Sequence, residues 1–322
     1  MDIPFTLQEA INATLAEHAS SLAQHSQALS DRYRQGRGSQ GLNQREALAY
    51  AAARLPATYG AATAALIALR QVMPSLSPHT LLDVGTGPGT LLFAVTRVFP
   101  SVEEPIALEP EPAMRAMARE LLINAHHPWA NRVRWLDQPL SNVVLPKSDL
   151  VTASYVLNEL PDAQANTAAL ALWQAANEAL VIIEPGTPEA FERLRAIRAT
   201  LIEHGARVAA PCPHEGQCPM AGGDWCHFAE RIPRTQLHRR LKGGSAPYED
   251  EKYAYLALVH DTAGDRHARI LRHPRIEPGR IALTLCTPHG LRQESITKRN
   301  RERFRRARKA SWGSVWPSEH AP

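Results

Sequence analysis

The chain has 322 residues, of which 44% are hydrophobic and 21% charged, and a net charge of +4. That is ordinary for a globular protein and long enough for one enlarged domain or two small ones around an ample core. No apolar run approaches the roughly 20 residues needed to cross a bilayer. Met1-Asp2-Ile3-Pro4-Phe5 also lacks the basic-then-apolar layout of a secretory signal, so a cytoplasmic chain with no membrane association is expected.

Thr6-Leu7-Gln8-Glu9 has the form of a capping box. Leu7, Ile11, Leu15, Leu22 and Leu29 then recur at helical spacing, which predicts an amphipathic helix from residue 6 to about 30. Arg32, Arg34 and Arg37 follow in a Gly-containing loop suited equally to phosphates and to solvent. Residues 44–73 are Ala-rich and read as helix interrupted at Pro56. Residues 1–75 thus form a helical extension in which no chemistry is visible.

Leu81-Leu82-Asp83-Val84 is a short apolar strand, Gly85-Thr86-Gly87-Pro88-Gly89 a tight turn, and Thr90 onward a helix start. Glycines let the backbone approach a ligand closely, and the new helix offers unpaired N–H groups. The G-x-G-x-x-G spacing of dinucleotide-binding turns is absent. Asp83-x-Gly85-x-Gly87-x-Gly89 instead resembles motif I of class I S-adenosylmethionine (SAM) methyltransferases, although a turn without a ligand has the same local form. Glu103 to Leu108 is a second strand ending in Glu109, 20 residues after Gly89, where a carboxylate can accept both ribose hydroxyls of a nucleoside. Arg132 to Leu136 ends in Asp137, where the resemblance implies contact with the adenine edge. Strands at 149–160 and 179–186 follow, the first ending in Asn158-Glu159-Leu160 before Pro161. Five apolar strands alternating with helices imply a parallel sheet covered on both faces. The fold expected is α/β, a seven-stranded Rossmann-like sheet of the class I SAM-methyltransferase type, with its core at 76–205. The donor-binding residues it implies are Asp83, Gly85, Gly87, Gly89, Glu109, Asp137 and Asn158.

A helix from Pro188 to about Glu203 carries Arg193, Arg195 and Arg198, and then the composition changes. Residues 206–250 form a Cys-rich insertion, placed before strand six of the sheet. Cys212, Cys218 and Cys226 fall within 15 residues among prolines and glycines, and the fourth cysteine, Cys286, ends a late strand. Without an oxidising compartment, clustered cysteines point to metal. The spacing C-x5-C-x7-C-x59-C lacks the C-x2-C knuckles of common zinc sites, so structural zinc and a four-iron, four-sulfur (4Fe–4S) cluster both remain open. His214 and His227 are candidates to replace a cysteine on zinc, but read better as loop histidines bonded to backbone. Residues 251–260 and 280–286 are taken as strands six and seven, the last two of the core within 251–290. Cys286 would then sit at the sheet edge opposite the donor.

The remaining 291–322 form a basic C-terminal tail. Lys298 to Lys309 holds eight basic residues and one acid, a run that neutralises phosphates and favours RNA over membrane. Trp312 and Trp316 are expected to pack the tail down.

Taken together, the chain resembles the methyltransferase-like family of small-ribosomal-subunit assembly factors, found in mitochondria and in bacteria. The resemblance rests on Leu29-Ser30-Asp31-Arg32-Tyr33-Arg34, on Ala49-Tyr50-Ala51-Ala52-Ala53-Arg54-Leu55-Pro56-Ala57-Thr58-Tyr59, and on the glycine turn. Cys212-Pro213-His214, Cys218-Pro219, Trp225-Cys226-His227-Phe228, Cys286-Thr287-Pro288-His289-Gly290 and Ala307-Arg308-Lys309-Ala310-Ser311-Trp312-Gly313 extend it. It implies SAM binding, association with the small subunit and its rRNA, and a 4Fe–4S cluster held by Cys212, Cys218, Cys226 and Cys286. Asn158-Glu159-Leu160-Pro161 departs from the Asn/Asp-Pro-Pro-Tyr/Phe loop of amino-group methyltransferases, so no catalytic residue is named. A SAM-dependent rRNA methyltransferase leads the readings. A non-catalytic assembly factor with a structural zinc or iron–sulfur site is the alternative, and a small-molecule methyltransferase comes third.

Overall fold

The computed structural model describes residues 3–16, 41–234, 239, 246–261 and 267–317. Helix α1 (Phe5–Ala16) is the first part of the helix expected from residue 6; its continuation through Leu22 and Leu29, and the Arg32, Arg34 and Arg37 loop, lie outside the described residues. Thr6 is not its cap. The Pro4 carbonyl already accepts the Gln8 amide at 3.0 Å, so Thr6 is inside the first turn. A capping box does occur, one helix later. The Asn43 side chain accepts the Arg45 and Glu46 amides at 3.0 Å, and Glu46 Oε2 accepts the Asn43 amide at 2.8 Å.

That box opens α2 (Gln44–Val72), 29 residues that pass through Pro56 without the expected interruption. A proline inside a helix costs about 3 kcal/mol. Leu55, Tyr59, Leu66 and Leu69 are fully buried on the same helix, and such burial contributes roughly 1.5–3 kcal/mol per side chain, so packing prevails.

The main sheet follows the predicted alternation. It comprises β1 (Thr80–Val84), β2 (Glu104–Leu108), β3 (Arg134–Leu136), β4 (Ser148–Ser154) and β5 (Ala176–Pro185), all parallel. Between them run α3 (Thr90–Val98), α4 (Pro112–Asn124) and α5 (Asp162–Ala175), and α6 (Pro188–Glu203) follows β5. After α6 come β6 (Arg207–Ala210), β7 (Phe228–Pro233) and β8 (Tyr248–Val259). The order is β3-β2-β1-β4-β5-β8-β6, with β7 on β8, and β8 is antiparallel to both β5 and β6. The fold is therefore α/β with a parallel-dominated sheet. The chain order reverses between β1 and β4, and at such a point ligands enter the crevice outside the carboxyl ends.

Two expectations about the late strands are corrected. Strand six of the main path is β6, too short to read from sequence, so the cysteine segment follows it. The strand expected at 251–260 is β8, the antiparallel member, and it lies inside the sheet. The strand expected at 280–286 belongs to another sheet altogether. Strands β9 (Ala268–Ile270), β10 (Arg275–Glu277), β11 (Arg280–Thr287), β12 (Gly290–Thr297) and β13 (Val315–Trp316) form a second, five-stranded sheet. Helix α7 (Arg301–Ala307) packs on it. Its small core joins Ile270, Ile281, Leu283, Leu285, Ile296, Ala307 and Trp316, so much of the stretch read as a tail is folded structure. Side chains alternate across a strand. With Ile281, Leu283 and Leu285 facing that core, Cys286 faces the other way and clusters with Phe191, Met220 and Leu271.

Candidate functional site

At the end of β1 the chain turns through Gly85 and Gly87, whose φ angles of 69° and 54° lie in the left-handed region. The Gly85 and Thr86 amides donate to the Leu108 carbonyl at 2.8 and 3.2 Å, tying the turn to the tip of β2. A Cβ at Gly85 would stand 2.1 Å from Val156 Cγ2, so packing alone demands glycine there. At Gly87 the nearest atom would be 3.9 Å away, which leaves the backbone open to a ligand. Gly89 is the N-cap of α3.

Three buried carboxylates surround this turn. Asp83, 1% exposed, accepts the Thr152 hydroxyl on Oδ1 at 2.7 Å, while its Oδ2 is buried without a hydrogen-bond partner. Burial pushes it up to about 7. Glu109 Oε2 accepts the Gly87 amide at 2.7 Å and Oε1 the Glu111 amide at 2.9 Å, and burial raises this carboxyl also. Glu184, near the end of β5, accepts the Leu157 and Asn158 amides at 2.9 and 3.1 Å; burial pushes it up to about 8. Turned so that its nitrogen meets acceptors, the Asn158 side chain donates to the Tyr155 carbonyl at 3.0 Å and to Glu184 Oε2 at 2.9 Å. The structure thus places Asp83, Gly85, Gly87, Gly89, Glu109 and Asn158 at or just beyond the carboxyl ends of β1, β2 and β4, where a donor crevice is expected. Asp137 stands exposed just past β3, one strand further out. Glu184 is a member that sequence reasoning missed; its signal was a lone carboxylate at the end of an apolar strand. An orphaned buried oxygen, a glycine cradle and a carboxylate wall fit a ligand with cationic groups and free hydroxyls, as SAM has, better than a phosphate.

The chain after β4 packs on the glycine turn through Val156. Tyr155 has φ 59°, a conformation that costs a bulky residue about 1–3 kcal/mol and persists only where its surroundings enforce it. Its hydroxyl donates to Glu251 Oε1 at 2.9 Å, and Arg54 grips the same carboxylate at 2.8 and 3.3 Å.

The four cysteines line a separate cleft, partly open to solvent, with Phe191, Arg198, His214 and Tyr255. Burial raises the Cys212 and Cys226 thiols, and each is raised further by neighbouring cysteines. The Cys286 thiol is pushed up to about 12 by burial and then by Cys212 and Cys218. His214 Nε2 lies 3.6 Å from Cys286 Sγ. Among the described residues no three His, Cys, Asp or Glu side chains close to metal-ligand geometry, so the sulfurs surround one space without converging on a point. Four soft thiol donors around one space are a set that a thiophilic cation would ionise on binding. His227 bonds backbone as expected, its Nδ1 lying 3.2 Å from the Trp225 carbonyl. Helix α6 shapes the loop: Arg198 donates to the Gly216 and His214 carbonyls, and Arg195 to that of Met220.

Cleft and crevice do not occupy opposite edges, as the topology read from sequence implied. Trp225 Nε1 donates to the Gly186 carbonyl at 2.9 Å, two residues past Glu184, so both spaces lie along the carboxyl edge of the sheet. They remain distinct, since none of the crevice residues lines the cleft.

In the basic run Lys298, Arg299, Arg301, Arg305, Arg306, Arg308 and Lys309 are exposed. Arg303 is not available: it pairs with Glu294, with its guanidinium carbon 5.0 Å from the Trp316 ring centre. Trp316 is buried, and Trp312 packs edge-on against His227 and His273 at 4.8 and 5.1 Å, so both tryptophans pack.

The family described as "Mitochondrial small ribosomal subunit Rsm22" matches residues 44–317. The mitochondrial ribosome assembly protein METTL17 of Homo sapiens is 27% identical over 294 residues, covering 84% of this chain and 62% of that protein. The mitochondrial Rsm22-cox11 tandem protein 2 of Schizosaccharomyces pombe is 24% identical, covering 85% of this chain and 43% of that protein. The chain therefore spans less than two thirds of the length of these curated relatives. Similar solved structures include magnesium protoporphyrin IX methyltransferase from Synechocystis PCC 6803 with bound SAM, at 15% identity and TM-score 0.42, covering 78% of this chain and 97% of that one. Another is precorrin-6y C5,15-methyltransferase from Geobacter metallireducens, at 13% identity and TM-score 0.38, covering 61% and 86%. The curated relatives are named as mitochondrial, against the cytoplasmic placement expected from sequence. Hydropathy speaks only to membrane crossing: among the described residues no helix is long and apolar enough to do so.

Proposed function

The chain belongs to the family of the mitochondrial small ribosomal subunit protein Rsm22, and from that membership we propose that it is a small-subunit assembly protein with a SAM site, a cysteine-held cluster and an RNA-facing basic surface. The observation that carries the SAM assignment is the unpartnered Oδ2 of buried Asp83, together with the room left at Gly87 on the same glycine turn. Asp83 and the glycine turn would hold the amino-acid end of SAM, Glu109 the ribose and Asp137 the adenine edge, with Asn158 closing the crevice. Bound SAM supplies an electrophilic methyl group. Cys212, Cys218, Cys226 and Cys286 would hold a 4Fe–4S cluster, a preference that comes from the family resemblance; zinc is the alternative on the same four thiols. The exposed arginines and lysines of 298–309 would meet rRNA phosphates. The protein would work in whichever compartment holds its ribosome.

Methylation of small-subunit rRNA is the reading that uses every site. The departure at Asn158-Glu159-Leu160-Pro161 favours a second one, in which donor and cluster support the fold of a non-catalytic factor. Radiolabelled SAM incubated with the protein and small subunits separates them. Label in RNA supports the enzyme, binding without transfer supports the factor, and no binding removes the donor from both. Anaerobic purification should yield four iron and four sulfide per chain, about the content of one cluster; zinc without sulfide would replace it.

A further inference from the structure

Arg54 sits in the middle of α2 and Glu251 on β8, 197 residues apart, and they meet beneath the first residue after β4. The Arg54 guanidinium takes the carboxylate with both arms, and Glu251 Oε1 accepts the Tyr155 hydroxyl as well. One carboxylate, 8% exposed, therefore joins three elements that no local sequence brings together. A part-buried ion pair adds little stability, since the Arg54 side chain keeps 36% of its surface in solvent, so its consequence is to be sought in what it orients. What it orients is Tyr155, held left-handed. Directly after it, Val156 is seated on Gly85, and the Leu157 and Asn158 amides reach Glu184.

We infer that Arg54 and Glu251 are positioning residues for the donor crevice: by fixing the Tyr155 hydroxyl they hold the left-handed turn that lays residues 156–158 across the glycine loop. Without that anchor Tyr155 relaxes to negative φ, the direction of the chain after β4 changes, and Val156 and Asn158 lose their seats. The segment Ala49 to Tyr59, which stands out in the sequence with no chemistry of its own, acquires a task in this way. The effect on the donor rests on the SAM assignment above; the effect on the loop does not.

The test is hydrogen–deuterium exchange on the full chain, with calorimetric SAM binding beside it. Tyr155→Phe removes one hydroxyl and leaves the ion pair. It should speed exchange at the Leu157 and Asn158 amides by about tenfold, with β1, β4 and the melting temperature unchanged, because the hydrogen bond removed acts on this segment alone. Arg54→Lys keeps the charge and loses the fork, and should fall between wild type and Tyr155→Phe. The double variant Arg54→Met, Glu251→Leu replaces the pair by apolar bulk and should melt like wild type with the same fast loop. Wild-type exchange in Tyr155→Phe, or acceleration shared by β1 and β4, would overturn the inference. If wild-type protein fails to bind SAM, the donor assignment falls while the exchange result still decides the role of the pair. If wild type and Tyr155→Phe bind SAM equally, the positioning role is refuted.

Discussion

Asp83 makes the donor assignment measurable through pH. Burial, with a further push from Glu109, raises its carboxyl to about 7, against the opposing hydrogen bond from Thr152. A cationic ligand group needs the ionised form. At pH 5.5 about one molecule in thirty carries that charge and at pH 7 about half do, so apparent affinity for SAM should rise about fifteenfold across the interval. The gain should flatten above about pH 7.5, where the amino group of SAM begins to lose its own proton. The unliganded protein runs the other way. Its native state keeps a proton that the unfolded chain releases above 3.8, so the contribution of Asp83 to stability is full below that pH and lost as pH climbs through 7. Calorimetry in two buffers of different ionisation enthalpy would count the proton released on binding near neutral pH. Asp83→Asn keeps the shape and the Thr152 bond, and should bind SAM weakly with no pH dependence. Wild-type affinity that is flat from pH 5.5 to 7, or an equal slope in Asp83→Asn, would refute the argument.

Glu184 predicts a second pH effect, this time in folding. Pushed from 4.5 up to about 8, it should make stability fall with rising pH across that window by no more than about 1.4 kcal/mol per unit. Denaturant unfolding at several pH values should show a shallower fall in Glu184→Gln, and identical slopes would sink the prediction. Gly85→Ala should destabilise by at least about 2 kcal/mol, combining a left-handed Cβ with the collision at Val156, and Val156→Ala should recover part of it. Thermal melts of the two single variants and the double decide whether the two positions couple. For RNA, replacing Arg306 by Gln should lower the slope of log affinity against log salt by about 0.7–0.9. Arg303→Gln should leave the slope alone and lower the melting temperature, since that guanidinium is committed to Glu294 and Trp316.

The parallel half of the molecule was legible because its strands are apolar runs bounded by glycine, proline or a carboxylate, and each borders a helix of clear period. Strands β1 to β5 and helix α6 were anticipated with boundaries shifted by only a few residues, apart from the end of β4. The glycine turn and Glu109 were legible for the same reason, since short-range spacing encodes a turn and a strand tip. What failed depends on distance. Pro56 stays helical because of burial contributed by other elements, which no local pattern records. Strand β12 hid behind Gln293, Glu294 and Ser295, polar residues that pair with β11 only once the second sheet exists. Arg54, Glu184 and Glu251 looked like ordinary charges, and their meaning appears when β5, β8 and α2 are adjacent. The cysteines were marked as a set by composition, yet the face on which Cys286 lies follows from alternation along a strand whose sheet was misassigned.

The division of the cysteines between the sheets sets an order of events during synthesis. Cys212, Cys218 and Cys226 leave the ribosome after β6, with β7 and β8, the last strands of the large sheet, following by residue 259. Cys286 comes 60 residues after Cys226 and swings into the cleft only when β11 has found its partners. A chain stopped before residue 280 would offer an inorganic centre three sulfurs and an open side. Any group that needs all four can therefore be loaded only after β11 has been made and paired.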